Sequence, residues 1–368
     1  MTATDIRSSI EVPRPARRAT LLIDADVHPV AGDGGVGDRL AEPHRSRFKR
    51  YGVRNPGQST YPRTRNFGNR LDSRPDNTPG SSQRMTQAQL LDEYDEDIAI
   101  LIHLPGRSYA GTDPEYSRAL CSVANDMLAE EWLDADPRYR ATIVVPFEHP
   151  DYAVAEIERW ADDPRFVQVL ISGSAESGMG DRRYWPIYRA AAEAGLPLGA
   201  HLGGYDYNRA GSGWPSFFLE EHVGLHYEMP SMALSMIAAG VFEEIPNLNV
   251  VAIETCFSWS VSLMWTMDQT YKMMGDELPA LSRKPSEYFR DNFWFTTQPF
   301  EEPDDPNELI QAIEMMGMTE HLMFASDYPH FDFDSPDRAL PLEFSGAMRD
   351  NILGENARRL YRLDALSR

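Results

Sequence analysis

The chain has 368 residues, 42% of them hydrophobic, enough for one large core or two ordinary ones. Asp and Glu outnumber Lys and Arg by 57 to 35, a formal net charge of −22. A field of that sign repels phosphate backbones and anionic lipid, which argues against nucleic-acid and membrane-surface roles and leaves an anionic substrate dependent on local cations.

Residues 1–19 contain basic residues but no apolar stretch of the signal-peptide kind, and are read as a mobile arm ahead of a single domain over 20–368. The first strand is predicted in "TLLIDADV" (20–27). Residues 29–85 follow, long and rich in Pro, Gly, Arg, Asn and Ser, and then a helical pattern at 86–96. Strand 97–104 and helix 114–135 come next, then strand 140–147 and helix 150–163, and strand 166–173 and helix 184–195. Strand 196–203 leads into residues 203–229, rich in Gly, aromatics and His, and then helix 230–245. Strand 248–255, helix 258–274, strand 292–298, helix 306–317, strand 321–328 and helix 346–363 complete the chain. Most of the strands are nearly continuous apolar runs, the pattern of parallel strands buried on both faces.

Eight strands alternating with helices predict an α/β fold, a distorted (β/α)8 TIM barrel with long loops after strands 1 and 5. An open doubly wound sheet is the alternative. Both long segments follow a strand, so they should cover the C-terminal face and, as lids, exclude water. No apolar run approaches the roughly 20 residues needed to span a bilayer. Cys121 and Cys256 are too few for a disulfide framework and read as buried free thiols. Together these features predict a cytoplasmic protein.

Active sites of such barrels lie where the strands end. Strand one ends in Asp24, Asp26 and His28, strand five in His201, strand six in Glu254, strand seven in Thr296, Thr297 and Gln298, and strand eight in Asp327, with His330 just beyond. Residues two apart on a strand share a face, so Asp24, Asp26 and His28 point together. Buried carboxylates are costly unless paired or bound to a metal. Asp26, His28 and His201 offer the oxygen and nitrogen donors that divalent metals take, and Asp327 reads as a further ligand or as a base beside the metal. Against this, a lone strand-end His is usually structural, and Asp26 or Asp327 could simply cap a turn. Coincidence across strands one, five and eight favours the metal site. His103, beside Pro105, reads as structural, and His44, His149 and His321 as loop or edge residues. His222 and His226 would share a helical face and are read either as structural or as lining a substrate pocket.

Five motifs in order carry a resemblance: "LIDADVHP", "PLGAHLGG", "GVFEEIPNLNVVAIETCFSW", "FTTQPF" and "HLMFASDYPHFDFD", with "NILGENARRLYRL" after them. From Leu21 to Leu363 the chain resembles the amidohydrolase-related branch of the metal-dependent amidohydrolase superfamily, which includes the aminocarboxymuconate-semialdehyde and γ-resorcylate decarboxylases. The resemblance implies a distorted TIM barrel holding one divalent metal, with Asp26 and His28 as the first-strand DxH motif, His201 as the fifth-strand ligand, and Asp327 as ligand and proton-transfer residue. Zn2+ is favoured, although the oxygen-rich ligands also suit Mn2+. One departure matters. The family's decarboxylases carry a His at the end of strand six, where this chain has Glu254. That carboxylate is read either as a proton carrier with a raised pKa or as a structural partner of a loop Arg.

Two reactions fit the same residues. In a lyase, an aromatic or conjugated carboxylic acid chelates the metal, Asp327 or Glu254 protonates a carbon, and CO2 leaves. In a hydrolase, Asp327 accepts a proton from a metal-bound water that attacks an amide, lactone or ester. A non-catalytic binding role is the third and weakest reading. His330 is the reserve proton carrier. Arg63, Arg65, Arg70 and Arg74 lie in the first long segment, and Arg70 and Arg74 are candidate clamps for a substrate carboxylate, unless the segment is simply solvated. Gln298 is a further candidate contact. Trp214, Phe217, Phe218, Tyr227, Phe257 and Trp259 suit a planar substrate. The balance leans to the lyase. The apolar content of "SWSVSLMWTMDQTYKMM" and the resemblance predict a homodimer or larger assembly.

Overall fold

Runs of β-branched and aliphatic residues that have no polar face can only be satisfied by burial on both sides, and they form eight parallel strands. In the computed structural model of the protein, residues 19–29, 35–53, 70, 72–73, 82–105, 109, 113–204 and 216–364 are described. The strands are β1 Ile23–Val27, β2 Ile98–Leu101, β3 Tyr139–Val144, β4 Phe166–Ser174, β5 Leu198–Gly204, β6 Val250–Ile253, β7 Phe293–Thr296 and β8 Leu322–Met323. Their order in the sheet is their order in the chain. A parallel bridge between Val27 and Tyr328 joins the last strand region to the first. Hydrogen bonds from Ala25 N to Phe324 O (3.0 Å), His28 N to Tyr328 O (2.8 Å) and Asp327 N to Asp26 O (3.1 Å) complete the closure. The molecule is a (β/α)8 barrel, as the alternation predicts, and not an open sheet.

All eight predicted strands are present, most of them trimmed at their ends. The largest loss is in β8. Beyond Met323 the backbone leaves the β7 ladder, and Phe324 N bonds Ile352 O (2.8 Å). The predicted helices also appear, with changes of detail. Helix Pro114–Met127 starts on Asp113, whose side chain accepts from Tyr116 N, and has Pro at its first turn, a strong start signal. The predicted helix 230–245 divides into Glu228–Ala238 and Val241–Glu244, because Gly240 adopts φ 78°. Helix Pro285–Asn292 has no counterpart among the predicted elements, although its start "KPSE" carries a signal. Pro285 leads its first turn, and Lys284 N donates to the Glu287 carboxylate at 2.9 Å.

The long segments contain structure of their own. Helices Gly35–Arg39 and His44–Tyr51 lie within 29–85, and Phe218–Gly224 lies within 203–229. The proposed N-terminal arm, save Ala19, and Arg63, Arg65, Arg74 and Trp214 lie outside the described residues. Cys121 is buried as expected, whereas Cys256 is only half-buried because it sits at the barrel mouth rather than in the core.

Inside the barrel a polar layer lies among the aliphatic side chains. Gln168 Nε2 donates to Thr142 Oγ1 (3.1 Å), and Tyr361 OH donates to Gln168 Oε1 (3.0 Å). Gly199 faces this glutamine: a Cβ there would lie 2.4 Å from Gln168 Cδ. The glycine is what leaves room for the Gln168 amide.

Candidate metal centre

Strand β1 ends by delivering Asp26 and His28 to one side, two residues apart. Both are buried, as are His201 from β5 and Asp327 after β8. The His28 ring is fixed through Nδ1, which lies 3.2 Å from Ile102 O. The His201 ring is fixed the same way, Nδ1 lying 3.0 Å from Leu202 O. A carbonyl only accepts, so Nδ1 carries the hydrogen in each ring and Nε2 is left with a lone pair in the neutral imidazole. Each Nε2 nevertheless faces carboxylates. His28 Nε2 is 2.7 Å from Asp327 Oδ1 and 3.3 Å from Asp26 Oδ1. His201 Nε2 is 3.0 Å from Glu254 Oε2 and 3.8 Å from Asp26 Oδ2.

Two acceptors at such distances repel unless a proton or a cation lies between them. Imidazoles oriented by a carbonyl on one nitrogen, with the other turned into the site, are the usual form of histidine metal ligands. One ligand atom each from Asp26, His28, His201 and Glu254 lie within 4.8 Å of one another, and so do those of His28, Glu254, Asp327 and His330. Asp327 Oδ2 is buried with no hydrogen-bond partner among the described residues. The donor set therefore fits a divalent metal.

Backbone geometry aims two of these carboxylates. Glu254 and Asp327, each past the end of a strand, have φ of 60° and 58°. Such a conformation is uncommon outside glycine and marks a position over-determined by its surroundings. At Glu254 the N–H is held by Thr296 Oγ1 at 3.0 Å. At Asp327 it is held by Asp26 O.

The charges are strongly coupled. Burial raises the Asp327 carboxyl, but His330 and His28 outweigh it and hold the group well below its ordinary value. His330 Nδ1 lies 2.6 Å from Asp327 Oδ1. Burial disfavours its imidazolium, yet the Asp327 charge and hydrogen bond push His330 up to about 9. Burial and the Asp327 charge raise the Glu254 carboxyl, but the contact with His201 and the charge of His330 more than offset them, so it lies below its ordinary value. The raised pKa expected for Glu254 is not found, and among the described residues no arginine pairs with it.

The remaining predicted residues divide. Asp24 shares the direction of Asp26 but not its cluster: Oδ1 accepts from Ser326 N (2.9 Å) and Asp26 N (3.1 Å), binding β1 to the end of β8. Thr296 and Thr297 stitch neighbouring strand ends, Thr297 Oγ1 accepting from Ala325 N at 3.0 Å. Gln298 Nε2 donates to Asp332 Oδ2 at 3.2 Å, and His222 Nε2 is 3.5 Å from the same oxygen. His226 Nε2 lies 3.8 Å from Cys256 Sγ, two residues beyond Glu254. Arg70 donates from Nε and Nη2 to Asp72 (3.1 and 2.9 Å), and its guanidinium lies over the Phe333 ring at 4.6 Å. That guanidinium is tied to the segment after β8, so a clamp role would require it to leave Asp72. His103 stands apart from the cluster, with Nε2 3.3 Å from Tyr109 OH and burial lowering it to about 4. Sequence reading misses Asp332, which burial and the charges of Asp327 and Glu254 raise to about 6. Its only signal is the alternation in "HFDFD".

Imidazoles and carboxylates converging at the mouth of a (β/α)8 barrel define the class of metal-dependent barrel enzymes. Residues 23–363 match the amidohydrolase family model, and the chain belongs to that family. Gamma-resorcylate decarboxylase of Rhizobium sp. is 27% identical over 300 residues, spanning 76% of this chain and 87% of that protein. Solved structures share the fold, among them two decarboxylases. Dihydroxybenzoic acid decarboxylase from Polaromonas sp., with bound manganese and the inhibitor 2-nitroresorcinol, matches with a TM-score of 0.66 at 22% identity, covering 94% of this chain and 98% of that one. 5-Carboxyvanillate decarboxylase from Novosphingobium aromaticivorans, complexed with manganese and 4-hydroxy-3-methoxy-5-nitrobenzoic acid, matches with a TM-score of 0.68 at 20% identity, covering 94% and 96%.

Proposed function

We propose that this chain is a metal-dependent carboxy-lyase that decarboxylates a small aromatic or conjugated carboxylic acid without an oxidant. The observation that carries the reading is the pair of carbonyl-anchored imidazoles, His28 and His201, whose Nε2 atoms face buried carboxylates, in a chain whose relatives include decarboxylases of aromatic acids. Asp26, His28, His201 and Asp327 would hold the metal, which when bound supplies a Lewis acid and a template for chelating the substrate. Manganese is favoured over zinc, because half of the donors are hard carboxylate oxygens and manganese is bound in both similar structures.

The rest of the chemistry belongs to side chains. The His330–Asp327 pair holds a proton, supported by the short contact and the raised imidazole pKa. That proton passes to the ring carbon bearing the carboxylate. The bond from that carbon to the carboxylate then breaks, its electron pair returns to the ring, and CO2 leaves. Asp332, held between Gln298 and His222, is placed to orient a polar substituent of the substrate. Half-buried His226 lines the same mouth.

A dimer is part of the reading. Trp265, Met273 and Met274 are exposed on helix Trp259–Met274, Leu234 on helix Glu228–Ala238 and Met315 on helix Pro306–Met316. Exposed large apolar side chains on neighbouring helices mark an interaction surface. Sedimentation should show two or more chains together, and a monomer at micromolar concentration would remove this part.

The test is to incubate manganese-loaded protein with a panel of hydroxylated benzoic acids and measure CO2 and the decarboxylated arene. Equal amounts of both, with no oxygen consumed, are expected. Inert acids alongside hydrolysis of an ester, lactone or amide would replace the lyase with a hydrolase.

A further inference from the structure

The strand-six carboxylate has no role yet. We propose that Glu254 is a direct ligand of the metal, an addition to the set formed by Asp26, His28, His201 and Asp327; the inference rests on the metal-dependent reading above.

Several observations converge on it. Glu254 and His28 are the two residues common to both donor groupings, so Glu254 is central to the cluster rather than at its edge. Its Oε2 stands 3.0 Å from His201 Nε2 while His201 Nδ1 is occupied by Leu202 O. A carboxylate meeting the lone-pair side of a neutral imidazole at that distance needs a positive charge shared between them. A divalent ion serves both as ligands at once. The chain also maintains an unfavourable backbone to place this carboxylate, φ 60° at a glutamate, with Thr296 Oγ1 gripping its N–H. A side chain needed only to fill space would not require that conformation. Finally, Asp26, Glu254 and Asp327 put three carboxylates in one buried cluster, and a dication compensates them better than a single proton.

The assignment divides the labour of the site. Glu254 as a ligand leaves the proton to the pair in which an imidazole, His330, meets the Asp327 carboxylate at 2.6 Å. Proton handling then stays with Asp327 and His330 on the far side of His28, whose ring centroid is 4.8 Å from that of His330.

The experiment reads metal binding without substrate. The full chain is stripped with chelator and titrated with Mn2+, and free Mn2+ is followed by electron paramagnetic resonance for wild type, Glu254→Gln and Glu254→Asp. Circular dichroism checks the fold of each. Loss of an outer partner of a metal site typically costs about 10–100-fold in affinity, so loss of a direct ligand should cost at least about 100-fold. Wild type should bind one Mn2+ per chain, Glu254→Gln should bind at least about 100-fold more weakly, and Glu254→Asp should recover part of the difference. If both variants bind as wild type does, Glu254 merely shares a proton with His201 and the inference is overturned, while the metal-dependent reading stands. If wild type itself binds no metal, both fall.

Discussion

His28 Nε2 and Asp327 Oδ1 meet at 2.7 Å across the seam where the barrel closes. They are 299 positions apart in the chain. The contact exists only because β1 and the segment after β8 are joined by backbone bonds on both sides of it, His28 N to Tyr328 O and Asp327 N to Asp26 O. Closure of the barrel and assembly of the site are therefore one event.

Asp327→Asn should lower kcat by about 10²–10⁴-fold, the usual range for loss of a proton-transfer group. Substrate should still bind. Asparagine tolerates the left-handed backbone that Asp327 adopts, so the loop should keep its shape. Steady-state kinetics together with equilibrium binding of a substrate analogue check both halves. Wild-type kcat would move the role to His330.

His201→Ala should release the metal. The ring contributes one donor, and without it the others are poorly matched. Elemental analysis after dialysis should fall from one metal per chain to well below one. The barrel itself should persist, because Ala200 and the β5 ladder do not depend on the ring.

Asp334→Asn should change stability with pH. Burial, with the charges of Glu302 and Asp332, raises the Asp334 carboxyl to about 7. The folded state therefore holds a proton that the unfolded state, at the ordinary 3.8, has already lost. This group's stabilising contribution is complete below about pH 4, declines as pH rises toward about 7, and is absent above. The variant should unfold at a higher temperature than wild type at about pH 8, with the gap closing toward about pH 4. Thermal melts of the two proteins across that range check the sign.

Gly199→Ala should destabilise the barrel by about 1–3 kcal/mol, the typical cost of overpacking. The new Cβ would press on Gln168, whose amide is held by Thr142 and Tyr361. Urea unfolding should show a lower midpoint with an unchanged slope. Gln168→Ala in the same chain should relieve part of the strain.

The order of the barrel is local information. Continuous apolar runs of strand length, separated by helical periodicity and Pro-led helix starts, determine eight strands and their sequence without reference to distant contacts. The two-residue period of a strand also determines that Asp26 and His28 point the same way. The strand-end positions of His201 and Asp327 follow from the same pattern. Other features depend on closure. Asp24 obeys the same period as Asp26, yet it is diverted to Ser326, whose N–H arrives from 302 positions away. Which imidazole nitrogen faces the cluster is decided by Ile102 O and Leu202 O, and the first lies on another strand's end. The positive φ of Glu254 leaves no mark in the residue type, and its meeting with His201 requires β5 and β6 to lie side by side. Asp332 gains its partners Gln298 and His222 only when segments after β7 and β8 and the helix Phe218–Gly224 come together. Periodicity reports what a residue does relative to its near neighbours; pairing across the mouth of a closed barrel is set by closure, and only the tertiary structure carries it.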